Sequence, residues 1–160
     1  LVEPLARRTA FLSEAVTALG LEATVTVVRG RAEDVVDGPP AGADVVTARA
    51  VAPLDRLAGW CLPLARTGGR LLALKGASAA DEAAEHRTAI NRLGGTDPVL
   101  HLCGADLIDP PTTVVEIVKE RDVVPSKTEP RPSGRAAGAE RGTGRKAGGH
   151  ASGRGRTRRG

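Results

Sequence analysis

The residues best suited to chemistry in this 160-residue chain follow the ends of predicted strands. Glu3, the segment 30–34, Arg49 and the dipeptide Lys75-Gly76 each come directly after a short apolar run. In an open α/β sheet, ligands bind beyond the carboxyl ends of the strands. The sequence therefore predicts a polar crevice that is built from four successive strand ends.

The acidic members of this set each have two interpretations. Glu3 could accept hydrogen bonds from the two hydroxyls of a ribose, or it could lie beside a helix N-terminus, where the helix dipole favours a carboxylate. In the second segment, Ala32 would allow close approach of a purine, and the carboxylates of Glu33 and Asp34 could accept from an exocyclic amine. The alternative is that the segment caps a short helix.

The basic residues of this set also have two interpretations each. The guanidinium of Arg49 suits an anionic or planar ligand, but it could instead form an ion pair with Asp44 or Asp55. Lys75 could contact a ligand or simply meet solvent. Arg8 lies within the apolar stripe of the first predicted helix, from which it could lean over the strand ends or extend to water.

Other classes of site are excluded by what the sequence lacks. There is no GxSxG, Walker A or HExxH motif, so no catalytic residue is assigned. Cys61 and Cys103 lack CxxC spacing and nearby histidines, which argues against zinc and against a secreted disulfide scaffold and favours the cytoplasm. No apolar run approaches the roughly 18 residues of a membrane-spanning helix. The two aromatic residues, Phe11 and Trp60, cannot form a base-stacking platform.

The elements that must position these residues alternate between strand and helix. Apolar periodicity predicts strands at 1–2, 23–28, 44–48, 70–74, 99–103 and 113–119, and helices at 5–19, 54–65 and 81–93. A stripe from Leu54 to Ala65 marks the second helix, and Gly68-Gly69 would end it. No helix separates the last two strands, which predicts an antiparallel pair. The order predicts an α/β fold with a mostly parallel sheet.

The charges divide the chain into two parts. Residues 125–160 carry ten basic and two acidic side chains, so their net charge is +8, and they contain no Val, Leu, Ile, Phe or Trp. Such a segment cannot bury enough apolar surface to fold, so we expect a disordered basic tail. Residues 1–124, with 13 basic and 17 acidic side chains, have a net charge of −4 and can bury a core.

Four segments in order resemble one family: LVEPLARRTAFL at 1–12, RGRAE at 29–33, DVVTARAVA at 44–52 and GRLLALKG at 69–76. They are similar to the RsmG (GidB) family of 16S rRNA methyltransferases. The resemblance implies a class I methyltransferase-like, Rossmann-like domain that transfers a methyl group from S-adenosylmethionine to N7 of a guanine. It further implies a cytoplasmic, metal-free monomer whose partner is 16S rRNA or the small ribosomal subunit.

The same resemblance assigns roles to the candidate residues. Ala32 and Glu33 correspond to adenosyl-contacting positions, Arg49 to an arginine of the cofactor site and Glu3 to the acid on the ribose side. Arg8 and Lys75 are then candidates to face the RNA. A general base is not required, because guanine N7 has a free lone pair and no proton to remove.

The sequence also departs from the family pattern. Members carry, before the matching segment, a first strand and a glycine-rich loop that holds the methionine part of the cofactor, and no such loop occurs near residue 1. We therefore expect the C-terminal part of a longer protein, in which the missing strand lies between those at 1–2 and 44–48. Alone, this part is expected to be inactive.

Two other functions remain open. The chain could be a non-enzymatic RNA- or ribosome-binding protein whose basic tail supplies the affinity through phosphate contacts. It could also be a different α/β enzyme that binds a nucleotide cofactor such as a nicotinamide. A glycine-rich loop after an upstream strand would argue against the first of these.

Overall fold

A computed structural model describes residues 1–38, 40–49 and 52–123, and these residues alternate between strands and helices. In order, the elements are β1 (Val2–Glu3), α1 (Ala6–Ala18), β2 (Val28–Arg29), a 3-10 helix (Ala32–Asp34), β3 (Ala43–Arg49), α2 (Leu54–Cys61), a second 3-10 helix (Leu62–Leu64), β4 (Ala65–Lys75), α3 (Ala79–Arg92), β5 (Val99–Cys103) and β6 (Thr112–Val118). Within these ranges, no helix has the length and apolar character needed to cross a membrane. The tail predicted at 125–160 lies outside the described residues.

The strands form two groups. β1 and β2 pair in parallel, with Val2 opposite Val28. The other four strands form one sheet in the order β3-β4-β6-β5, in which β3 and β4 are parallel and the remaining neighbours are antiparallel. The expected α/β class and the antiparallel final pair are confirmed. In the described ranges β1 pairs only with β2, and β3 only with β4; the strand expected between them stays a prediction.

The core forms where α2 and α3 cover one face of the four-stranded sheet. Its fully buried side chains include Leu54 of α2, Ile90 of α3, Leu71 of β4 and Ile117 of β6. The apolar residues of α2 recur every three or four positions, so they share one face of the helix and reach the sheet together. Removal of this apolar surface from water is the main force that holds the layers together.

α1 forms as its periodicity predicts, but its apolar stripe is mostly exposed. Only Val16 is buried, whereas Leu5 is 53% and Leu19 is 69% exposed. Gly20 follows the helix with a φ of 66°, a conformation that glycine adopts without strain and that commonly ends helices. The sequence pattern therefore identified the helix correctly. The described residues do not include a partner surface that buries its apolar stripe.

Two strands differ in extent from the sequence prediction. The predicted strand at 23–28 is reduced to β2, because the carbonyl of Leu21 accepts hydrogen bonds from Thr24 and Val25 and so forms a turn. The strand predicted at 70–74 instead begins at Ala65, so Gly68-Gly69 interrupts a strand rather than ending a helix. A Cβ on Gly69 would lie 2.8 Å from the carbonyl oxygen of Ala43, which explains a glycine at this irregular point in the ladder.

Candidate functional site

Glu3 ends β1 and fastens the start of α1. One carboxylate oxygen accepts a hydrogen bond of 2.9 Å from the backbone N–H of Leu5, and the other lies 3.8 Å from Nη1 of Arg8. This is the helix-start position that the sequence offered as one of two interpretations. A carboxylate has about four lone-pair sites, so these contacts do not exhaust what Glu3 can accept. Its ribose-binding role stays a prediction.

The 30–34 segment lies beside Glu3. The backbone N–H of Gly30 donates to the carbonyl of Glu3 at 3.2 Å, and a Cβ on Gly30 would meet a methyl group of Val35 at 2.8 Å. Ala32 is half-buried, while the Glu33 carboxylate is accessible and lies 3.8 Å from Arg31. Since β1 and β2 are parallel, Glu3, Ala32 and Glu33 share one carboxyl edge.

Arg49 is exposed at the carboxyl end of β3. Neither of its predicted carboxylate partners is paired with it: Asp44 binds Arg66 at 2.6 Å, and Asp55 lies 3.9 Å from His86. In the described part of the chain Arg49 has no ion pair. The 3-10 helix Ala32–Asp34 packs against α2, which begins five residues after Arg49. That Arg49 shares one pocket with Glu3, Ala32 and Glu33 stays a prediction.

A cleft of about 670 Å³ opens beside Arg49. Its lining comprises Arg49, Leu74, Lys75, Gly76, Ala77, Leu102, Pro110, Pro111, Thr112 and Thr113. Because β4 and β6 are antiparallel, the end of β4 meets the start of β6, with Lys75 opposite Thr113. The cleft residues at the start of β6 are not among the candidates selected from the sequence. Their only sequence signal is the Pro110-Pro111 pair, which directly precedes a strand that must run antiparallel to its neighbour.

Lys75 occupies a different position from the one expected of an RNA-facing residue. Its side chain is only 5% exposed, and Nζ donates to the carbonyl of Ala52 at 2.8 Å and to Oε2 of Glu82 at 2.5 Å. The ammonium group is therefore turned into the protein, since burial requires such a charge to be paired. This arrangement does not favour contact between Lys75 and RNA.

Glu82 is a functional candidate that the sequence analysis missed. It lies in the first turn of α3 and accepts from Lys75 and, at 2.9 Å, from the hydroxyl of Ser78. These hydrogen bonds, together with the backbone N–H of Leu54, hold the pKa of the Glu82 carboxyl below its ordinary value. A lysine at a strand end followed by an acid in the next helix is the signal that could have found it.

In the part of the chain that the structure describes, these strand ends present hydrogen-bonding and charged groups rather than a nucleophile paired with a base. Among the described residues, no group of three or more His, Cys, Asp or Glu side chains could hold a metal ion. Cys61 is buried in α2, and burial raises the pKa of its thiol to about 11, which leaves it protonated. The carboxylates of Glu3 and Glu33 offer acceptors for hydroxyl and amino groups, and Arg49 offers a cationic group that forms no ion pair with any described residue. This donor set fits the adenosyl and charged parts of a nucleotide-type cofactor.

A family profile and several curated proteins match most of this chain. The family profile described as GidB, rRNA small subunit methyltransferase G, matches residues 1–108. Proteins named Ribosomal RNA small subunit methyltransferase G are 61% identical over 145 residues in Salinispora tropica and 48% identical over 147 residues in Mycolicibacterium smegmatis. These alignments cover 88% and 91% of this chain but only 59% and 60% of the relatives. The chain thus spans about 60% of the length of these two relatives.

A solved structure shows the same fold at low sequence identity. The crystal structure of an rRNA methylase from Streptococcus thermophilus superposes with a TM-score of 0.52 and 16% identity. The superposition covers 75% of this chain and 72% of that one. Since the identity is low, this likeness supports the fold alone.

Proposed function

Because this chain belongs to the rRNA small subunit methyltransferase G family, we propose that it forms part of an enzyme that methylates N7 of a guanine in 16S rRNA. The methyl donor is S-adenosylmethionine. The family match over residues 1–108 carries this proposal, since it includes all six candidate site residues: Glu3, Arg8, Ala32, Glu33, Arg49 and Lys75.

The ends of β1 and β2 would hold the adenosyl half of the cofactor. Glu3 would accept from the ribose hydroxyls, Ala32 would allow the adenine to approach closely, and Glu33 would accept from its amino group. Arg49 would bind a charged part of the cofactor through its guanidinium. When bound, S-adenosylmethionine supplies an electrophilic methyl group on a sulfonium centre.

The reaction requires the protein to align guanine N7 with the methyl group rather than to transfer a proton. Guanine N7 carries a lone pair and no proton, so attack on the methyl group needs no general base. What the protein must do is hold the nucleophile and the methyl group in line, which is a large part of the rate enhancement in such reactions. The described edge, with binding groups but no paired nucleophile and base, suits that task.

The cleft beside Arg49 is the place we assign to the target nucleotide. Leu102 and Pro110 supply apolar walls, and the hydroxyls of Thr112 and Thr113 can exchange hydrogen bonds with a base edge. Arg8 is 70% exposed and remains available to an RNA phosphate, with Glu3 holding it near the strand ends. The occupant would therefore lie between the cofactor edge and the β5–β6 loop.

The decisive experiment is transfer of a tritiated methyl group from S-adenosylmethionine to 16S rRNA and to small ribosomal subunits, followed by mapping of 7-methylguanine. The 160-residue chain and the product of the complete reading frame are both assayed. We expect 7-methylguanine from the complete product. RNA binding without methyl transfer would favour the non-enzymatic alternative, and calorimetric binding of NAD in place of S-adenosylmethionine would favour a nicotinamide enzyme.

A further inference from the structure

The entry to α2 is held by a side chain from the end of β4. Ala52 lies three residues after Arg49, and its carbonyl oxygen accepts a hydrogen bond of 2.8 Å from Nζ of Lys75. Lys75 ends β4, whose Leu74 is the register partner of Arg49. The lysine therefore reaches from the end of one parallel strand to Ala52, just before α2.

The counter-ion of Lys75 comes from α3. Oε2 of Glu82 accepts a hydrogen bond of 2.5 Å from Nζ of Lys75. Pro53, the N-cap residue of α2, provides no side-chain cap. Lys75 therefore ties the entry to α2 to both β4 and α3, because it binds the Ala52 carbonyl and the Glu82 carboxylate together.

The two charges depend on each other. Lys75 is nearly buried, and Ser78 donates a further hydrogen bond of 2.9 Å to Glu82. A buried charge that loses its partner is strongly destabilised, whereas an ion pair replaced as a whole by apolar side chains often costs nothing in stability. This difference allows the contribution of the pair to stability to be separated from its effect on the position of Ala52.

We propose that Lys75 and Glu82 are positioning residues that hold Ala52 at the entry to α2, and so keep the guanidinium of Arg49, which lines the same cleft as Lys75, aimed at its ligand. Neither residue contacts the ligand. The proposal rests on the cofactor role assigned to Arg49 above. It gives Lys75, which the family resemblance makes a candidate to face the RNA, a role inside the protein.

The first test measures the entry to α2 without any ligand. Hydrogen exchange of the backbone amides of residues 52 and 54–57 is compared in the wild-type protein, in Glu82→Gln and in Glu85→Gln, a matched substitution at an exposed position of α3. We expect exchange to accelerate in Glu82→Gln and to remain unchanged in the control. Unchanged exchange in Glu82→Gln would overturn the proposal.

The second test asks whether the effect passes through Arg49. The Kd for S-adenosylmethionine is measured for the product of the complete reading frame in a double-mutant cycle of Glu82→Gln and Arg49→Ala. We expect each single substitution to raise the Kd about tenfold or more, and the second to add less than about twofold once the first is present. Additive losses would show that Glu82 does not act through Arg49 and would overturn the proposal.

The third test separates positioning from stability. The double variant Lys75→Met, Glu82→Leu removes both charges and is expected to recover the melting temperature that Lys75→Met alone loses. The carbonyl of Ala52 still lacks its donor, so the raised Kd should persist. Full recovery of affinity would overturn the proposal. The wild-type protein could fail to bind S-adenosylmethionine while Glu82→Gln still accelerates hydrogen exchange at the entry to α2. In that case the proposed function is wrong, but the role of Glu82 in holding the entry to α2 is supported.

Discussion

Replacement of Arg49 by alanine is expected to weaken cofactor binding without weakening the fold. Arg49 is exposed, and the two carboxylates that the sequence offers as its partners, Asp44 and Asp55, lie near Arg66 and His86 instead. Truncation of an exposed side chain away from special features changes stability by no more than about 0.5 kcal/mol. The melting temperature of Arg49→Ala should therefore stay close to that of the wild-type protein.

The loss of affinity can be estimated from the contact that the side chain would make. A hydrogen bond to a charged group contributes about 1.5–3 kcal/mol. Since about 1.4 kcal/mol corresponds to a tenfold change in affinity, removal of the guanidinium should raise the Kd for S-adenosylmethionine roughly 10- to 150-fold. Added salt should weaken binding by the wild-type protein more than binding by the variant.

The assay is isothermal calorimetry on the product of the complete reading frame, with thermal unfolding measured on the same samples. Arg92→Ala is the matched control, because Arg92 is also exposed but lies at the opposite end of α3 from Glu82. Wild-type affinity in Arg49→Ala would refute the reasoning. So would a loss of affinity that merely follows a fall in melting temperature.

The remaining predictions concern stability and the tail. Lys75→Met should destabilise the domain by about 3 kcal/mol, because it leaves the carboxylate of Glu82 without its partner, and urea unfolding should show the loss largely reversed by adding Glu82→Leu. The pKa of Glu82 is lowered from 4.5 in the folded state, so its contribution to stability is present above that value and is lost as the pH falls through the folded-state pKa. Urea titrations should accordingly show the gap between wild type and Glu82→Gln narrowing in acid, and a constant gap would contradict this sign. Ile117→Ala should cost about 2–5 kcal/mol because Ile117 is fully buried, whereas Leu107→Ala, at an 87% exposed position, should cost little. Removal of residues 125–160 should reduce RNA affinity and the slope of its salt dependence in filter binding, and an unchanged slope would show that the tail does not contact phosphates.

Local patterns in the sequence were sufficient to predict most of the elements. The stripe predicted from Leu54 to Ala65 has helical spacing, and its first four positions are buried in α2, although α2 ends at Cys61 and Ala65 begins β4. The absence of a helix between β5 and β6 requires an antiparallel pair, which the structure contains. Both inferences succeed because periodicity and connection length are properties of neighbouring residues.

The extents of the strands depended on contacts that the sequence does not display. The run at 23–28 has strand composition, but only Val28 and Arg29 pair with β1. Thr24 and Val25 instead belong to a turn in which they donate hydrogen bonds to the carbonyl of Leu21. Gly68-Gly69 reads as a helix terminator, yet the close carbonyl of Ala43 in the neighbouring strand is what requires glycine at the second position. Strand pairing joins distant residues, so local propensity cannot fix its limits.

The residues of the candidate site also differ in whether the sequence alone could identify them. The rule that ligands bind at the carboxyl ends of parallel strands selects Glu3, Glu33 and Arg49 from the sequence alone, because strand direction follows from connectivity. The partners of Lys75 could not be chosen this way, since Ala52 lies 23 residues before it and Glu82 seven residues after it. Only the packing of α2 and α3 against the sheet brings a carbonyl, a carboxylate and an ammonium group together, and burial then compels the charges to pair.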